Sequence, residues 1–337
     1  MRRSLLCCTL LGLALACAGS RQASPAPRAE LAVRVGRVLD PVAGRYGAPS
    51  VILVRGGRIV GILPDARYRD GLADSTIDLR GATVLPGLID AHVHLGIGGP
   101  YRNNALADLQ AGFTTVVDLG ARTTRMLRIR DSINAGQIRG PRVLAAGIWV
   151  GRKDGVCEFN GIGIAGGADA FRARVRENLQ AGADVIKACV SGWPATAYAD
   201  PNDVELPDSV LAAIVDEARR GGKMVIAHDI SLGGVRAALR TGVSGLAHAA
   251  YVDAPTAREM RARGMFMVTT LASLTGGSDT TAASRALVAA TATAHRAGVM
   301  LVFGTDGGVL PHGRNAAEFV ALTRAGIPRS TRSARPR

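Results

Sequence analysis

From residue 88 onward the chain repeats one pattern eight times: a short apolar, β-branched segment, then an amphipathic stretch closing on glycine or a polar turn. The apolar segments fall at 88–94, 113–118, 142–148, 184–190, 223–228, 244–248, 265–270 and 299–305. Between them lie "PDSVLAAIVDEARRGG", "GGVRAALRTG" and "SRALVAATATAHRAG", each ending at a glycine of the kind that closes a helix. Strand and helix alternate, which makes the class α/β. Eight such units match the size and rhythm of a (β/α)8 TIM-type barrel. A doubly wound sheet is the second architecture, because alternation alone does not require closure.

Residues 31–85 read differently, as short β segments broken by Gly and Pro: "LAVRVGRVLD", "SVILVRGGRIVGILPD", "STIDLRG", "ATVLPG". They predict a small antiparallel β unit ahead of a barrel at 86–328. The opening "MRRSLLCCTLLGLALACAGS" has a basic start, an apolar stretch and small residues around Ala14, Ala16 and Cys17, the pattern of an export signal over 1–17. "LALAC" resembles the lipobox of bacterial lipoproteins, which would place lipid on Cys17; plain cleavage after "ALA" is the alternative. Residues 18–30, "AGSRQASPAPRAE", suit a flexible tether. The expectation is an exported protein, periplasmic or at the cell surface, touching the membrane only through its anchor.

The net charge of +14 invites a nucleic-acid reading, but four arginines within 1–28 and five within 324–337 supply nine of those charges. The rest of the chain is near balance, and at 4% aromatic residues it offers no stacking platform. No nucleic-acid partner is expected. "GIGIAGG" fits GxGxxG, but no apolar strand leads into it, so a dinucleotide site is rejected. Of five cysteines, Cys7, Cys8 and Cys17 belong to the leader; Cys189 sits in an apolar strand pattern as a small hydrophobe, and no structural disulfide with Cys157 is predicted.

Chemistry concentrates at strand ends. In "LIDAHVHLGIG", His92 and His94 stand two apart, so on a strand both project from one face. Two imidazoles there can share a divalent ion, or simply be a buried hydrogen-bonded pair. Of six histidines, two more end strands: His228 in "MVIAHD" and His248 in "SGLAHAA". His295 falls on a helix, and His312, in "LPHGRN", follows the eighth strand, where it either lines the mouth or supports a loop. Only three of the 41 basic residues are lysines, so Lys187 inside the apolar "ADVIKACV" calls for a reason. Either a desolvated lysine sheds its proton and adds CO2 as a carbamate, or it pairs with a buried acid. Asp306, in "VMLVFGTDGG", ends the eighth strand as a candidate metal ligand and general base, or as a helix N-cap.

In this order the residues resemble the amidohydrolase superfamily: "DAHVH" on the first strand, Lys187 on the fourth, His228 on the fifth, His248 on the sixth, "GTD" on the eighth. "GPRVLAAG", "GADVIK", "AGFTTVVDLG" and "HGRNAAEF" are similar to its branch of imidazolonepropionase-like hydrolases and Xaa-Pro dipeptidases. The resemblance implies zinc, two ions per chain, one held by His92, His94 and Asp306, the other by His228 and His248, bridged by a CO2-derived carbamate on Lys187. It implies hydrolysis of a dipeptide or similar small amide by metal-activated hydroxide, with Asp306 moving the proton. Cyclic-amide hydrolysis and an inactive remnant are the alternatives. Arg152, Tyr251 and His312 are candidate substrate-binding residues in the loops, and a homo-oligomer is left open. That branch continues past the eighth helix to complete its sandwich, whereas here "AGIP" gives way to "RSTRSARPR". The reading therefore expects a C-terminally truncated chain with an incomplete sandwich, open sheet edges and a disordered basic tail at 329–337.

Overall fold

A computed structural model describes residues 28–192, 200–275 and 282–328. The signal segment with Cys17, most of the tether and the tail at 329–337 lie outside the described residues. The chain divides into two compact units.

The first unit is one mixed sheet. It contains β1 (Ala29–Asp40), β2 (Arg45–Tyr46), β3 (Ser50–Arg55), β4 (Arg58–Pro64) and β5 (Ala73–Val84). β1 begins at Ala29, inside the stretch assigned to the tether. Gly56 and Gly57, at φ 55° and 69°, turn β3 into β4; a two-residue hairpin with both central residues left-handed is a glycine conformation. β1 runs antiparallel to β3 but parallel to β5, from Ala29↔Ala73 to Val38↔Val84. The all-antiparallel expectation is thus corrected: residues 65–72 cross over between strands instead of turning a hairpin. Ala32, Val51 and Leu53 form a thin core, while Ile59, Ile62, Ile77 and Leu79 are exposed.

The second unit alternates strand and helix. In chain order come β6 (Leu88–Val93), α1 (Tyr101–Gln110), β7 (Phe113–Asp118), α2 (Arg125–Asn134), β8 (Arg142–Ala145), α3 (Ala168–Gln180) and β9 (Ile186–Cys189). Then follow α4 (Asp208–Arg220), β10 (Val225–Asp229), α5 (Leu232–Thr241), β11 (Gly245–His248), α6 (Ala254–Ala262), β12 (Phe266–Val268), α7 (Leu271–Thr275), α8 (Ala282–Ala297), β13 (Leu301–Val302) and α9 (Ala317–Arg324). Helix ends carry the expected chemistry. Ser231 Oγ accepts from Gly234 N at 2.9 Å at the start of α5, and Gly242 closes that helix at φ 78°. Among the described residues no helix is long and apolar enough to cross a membrane.

All eight strands are parallel to their neighbours, in the orders β6-β7-β8 and β13-β12-β11-β10-β9. Isolated parallel bridges link the two groups, Val150↔Ala188 at one end and Val93↔Gly307 at the other. One apolar cluster takes a residue from each strand or its flank: Ala91, Leu119, Ala146, Val185, Ile226, Ala247 and Val268, with Val302 against them. A larger cluster packs the helices around the strands.

Cys157 and Cys189 form a disulfide, which overturns the expectation of none. Cys189 is indeed a fully buried strand residue, but the loop after β8 carries Cys157 to within 6.2 Å, Cα to Cα. Strand periodicity says nothing of where a loop returns.

Candidate metal centre

Six polar side chains gather at the C-terminal ends of the parallel strands, all of them buried: His92, His94, Lys187, His228, His248 and Asp306. β6 brings His92 and His94 side by side, Nε2 to Nε2 at 3.3 Å. Asp306 reaches them from beyond β13, its Oδ1 lying 3.3 Å from each of those nitrogens. Gly304 permits this approach, since a Cβ there would stand 2.9 Å from the His92 Cβ. Lys187 Nζ lies 3.5 Å from His92 Nε2. The His248 ring is centred 5.1 Å from that of His92 and 4.7 Å from that of His228.

Among the described residues, His92, His94 and Asp306 are the group of three whose ligand atoms lie close enough for one ion. Donors about 2.0–2.1 Å from a tetrahedral ion stand about 3.3–3.4 Å from one another. The three separations of 3.3 Å fit that spacing. The hydrogen bonding fits as well. His94 Nδ1 faces the carbonyl oxygen of Gly120 at 3.1 Å, and a carbonyl only accepts, so Nδ1 carries the proton. In that tautomer Nε2 points a lone pair at the Asp306 carboxylate, which repels it unless a cation lies between. His248 Nδ1 is held by Thr270 Oγ1 at 2.6 Å, leaving its Nε2 similarly available.

Electrostatics follow from burial. Desolvation, then the Lys187 charge, pushes His92 well below the usual imidazole value and His228 down to about 3. Desolvation, then His228, does the same to His248. Lys187 is pushed from 10.5 to about 7 by burial, against the opposing pull of Asp306. Burial would raise Asp306, but His92, His94 and His248 outweigh it and hold the carboxyl well below its usual range. Burial thus favours the neutral rings of His92, His228 and His248 beside an ionised Asp306, the protonation that metal ligands require.

Two of the six sit in strained backbone. His248 has φ 73° and Asp306 φ 55°, left-handed values that non-glycine residues rarely adopt. In the ladder His228 pairs with Ala247 and Asp229 with His248, so alternation alone would put His248 on the face opposite His228. The left-handed turn at the strand end brings the ring back. Strain of this kind persists where function requires it.

The three substrate candidates fare differently. Arg152 is exposed and lies 3.9 Å from Glu205, a residue of the segment between β9 and α4. Tyr251, at φ 65°, packs half-buried beside the cluster of Ile230, Ala250 and Leu271. His312 has both ring nitrogens engaged, Nδ1 on Asp108 at 2.9 Å and Nε2 on the His94 carbonyl at 3.3 Å. It supports the His94 strand end. Asp90 likewise accepts from His92 N and Thr305 N, each at 3.1 Å, and from Asn315 Nδ2 at 2.8 Å, stitching β6 to the chain after β13.

Sequence reasoning passed over Gly120, Thr270 and Trp149. Trp149 backs His94 at 5.5 Å between ring centroids and donates Nε1–H to the Leu119 carbonyl at 3.0 Å. The signal available was position: Gly120 and Thr270 each stand two residues beyond the end of a parallel strand, β7 and β12.

Residues 83–334 match the amidohydrolase family. The chain belongs to that family. An ochratoxinase of Aspergillus niger is 27% identical over 301 residues, an alignment covering 72% of this chain; the chain spans 62% of that relative's length. A crystal structure of a Xaa-Pro dipeptidase with methionine bound in its active site superposes with a TM-score of 0.82 at 25% identity, covering 90% of this chain and 86% of the other. The crystal structure of A. niger ochratoxinase superposes at 0.77 and 22% identity, over 91% and 83%, a likeness of fold. The chain shares a mixed α/β fold with these amidohydrolase neighbours.

Proposed function

We propose that this amidohydrolase cleaves the amide C–N bond of a dipeptide or similar small amide, using metal held by His92, His94, Lys187, His228, His248 and Asp306. The observation that carries the reading is the mutual 3.3 Å spacing of His92, His94 and Asp306, with Lys187 and the His248–His228 pair against them. Zinc suits a set of imidazoles with one carboxylate. When bound, it lowers the pKa of a coordinated water toward ~7 and polarises a carbonyl oxygen.

The chain's own residues do the rest. Asp306 accepts the proton of the attacking water and returns it to the leaving amine, for which an ionised, buried carboxylate at the strand end is suited. Lys187, its pKa lowered by burial to about 7, has a neutral amine populated near neutral pH that can add CO2 and present a carboxylate beside His92. Gly120 and Thr270 fix the ring orientations of His94 and His248. The bridges Val150↔Ala188 and Val93↔Gly307 support closure of the eight strands into a barrel whose mouth is this site. A buried disulfide supports folding in an oxidising compartment, consistent with export and attachment through Cys17.

Zinc content per purified chain, followed by hydrolysis of a panel of Xaa-Pro and other dipeptides, N-acyl amino acids and cyclic amides with and without chelator, tests the reading. About two zinc ions per chain and chelator-sensitive turnover of linear amides are expected. Turnover indifferent to chelator, or confined to cyclic amides, overturns it.

A further inference from the structure

The loop between β8 and α3 is tied to the strand that carries Lys187 by more than proximity. Val150 N donates to the Lys187 carbonyl at 3.0 Å, and Cys189 N donates to the Val150 carbonyl at 2.9 Å. Immediately beyond this bridge the Cys157–Cys189 disulfide closes the same two segments covalently, with both cysteines buried. Gly151 lies under the bond; a Cβ there would stand 3.1 Å from the Cβ atoms of both cysteines, so the chain passes as close as a missing side chain allows. The loop then folds back on itself, Lys153 N to the Ile164 carbonyl and Ile164 N to the Gly151 carbonyl, each at 2.9 Å. Its start is Trp149, the residue that backs His94.

On a strand, residues 187 and 189 project from the same face. The disulfide therefore anchors the loop on the face that presents Lys187, two residues along, while the other end of the loop presses on a second candidate ligand. We propose that the Cys157–Cys189 disulfide is a positioning device for the hydrolytic site, and that its reduction loosens the loop at 149–164 and lowers turnover while the fold persists. The proposal rests on the metal-site reading above for its activity arm alone. A dithiol reductant supplies two electrons and two protons: the S–S bond breaks, two thiols form, and the reductant closes to its own cyclic disulfide.

The full chain is used throughout. Non-reducing peptide mapping is expected to find Cys157 and Cys189 joined; both labelled as free thiols in the native protein would overturn the proposal. Hydrogen exchange is then followed, with and without dithiothreitol, in the peptides bearing the Val150 and Cys189 amides. Reduction should raise their exchange about tenfold with far-UV circular dichroism unchanged, and lower kcat by about tenfold, reversed on reoxidation. The double variant C157S/C189A should start at the lowered values and ignore dithiothreitol. Unchanged exchange on reduction, or collapse of the whole fold, overturns the positioning role. If the protein holds no zinc and hydrolyses no amide, the metal-site reading fails, and the exchange readout still decides the clamp.

Discussion

Lys187 Nζ lies 3.5 Å from His92 Nε2, with both side chains buried among imidazoles. Burial has already pushed the lysine from 10.5 to about 7, so its neutral amine is populated under ordinary conditions. An arginine at this position keeps its proton at any working pH and cannot carry a carbamate. Lys187→Arg should therefore lose at least about a hundredfold in kcat/KM. Lys187→Met, similar in volume and free of charge, should lose as much while keeping or raising the thermal midpoint, since it removes a desolvated amine. Parent-like turnover by Lys187→Met, measured on the best amide of the panel, would remove the lysine from the site.

Thr270 holds His248 through a 2.6 Å contact between Oγ1 and Nδ1. Partners of this kind set which ring nitrogen is free, and their loss typically costs 10–100-fold in metal affinity or activity. Thr270→Val keeps the shape and removes the hydroxyl; it should weaken zinc binding by about that factor in competition with a chromogenic chelator. Thr270→Ser should restore most of it. Equal affinities for the three proteins would show that packing alone orients the ring.

Much of this arrangement was legible in the sequence because it obeys simple periods. Eight apolar segments placed the strands, and the histidines, lysine and aspartate at or near their ends marked the residues that the structure brings together. What escaped depends on departures from those periods. His248 reaches the site through a left-handed residue that reverses its face, which strand alternation does not foresee. The Cys157–Cys189 bond and the Trp149–His94 contact depend on where the loop after β8 travels, and the parallel pairing of β5 with β1 depends on a crossover. His312 carries the same residue type as the candidate ligands and sits beyond the same strand end as Asp306, yet its Asp108 partner, 204 residues away, gives it a different task.

Asp229 shows the cost of a charge near such a site. It is fully buried, accepts from Ser191 Oγ at 2.9 Å and Ser231 N at 3.0 Å through Oδ1, and leaves Oδ2 without a hydrogen-bond partner. Desolvation raises it to about 7. With the folded value above the unfolded one, the native state holds the proton longer, so stability falls as pH rises from about 4 to about 7 and stays reduced above. Asp229→Asn removes that loss. Urea midpoints should show the variant gaining on the parent by a few kcal/mol at pH 8 relative to pH 5, an upper size of about 4 kcal/mol for the full shift. A parent–variant difference independent of pH would mean the carboxyl is ionised in the folded state throughout.

His312 has the same pH slope for the opposite reason, its charged form being the one the fold favours. Burial lowers it, but the Asp108 carboxylate and the His94 carbonyl outweigh this, and its folded pKa lies above the usual 6.5. A raised imidazole contributes stability that is fully present below pH 6.5 and is lost as pH climbs through the folded value. His312→Ala leaves Asp108 buried without its partner, a loss of about 3–5 kcal/mol when one member of a buried pair is removed. His312→Asn, which can still donate to Asp108, should recover part of it. Neither variant should raise KM selectively, because both ring nitrogens face protein atoms. Urea denaturation at pH 6 and pH 8 measures the first effect and steady-state kinetics the second; a large rise in KM with unchanged stability would return His312 to the substrate.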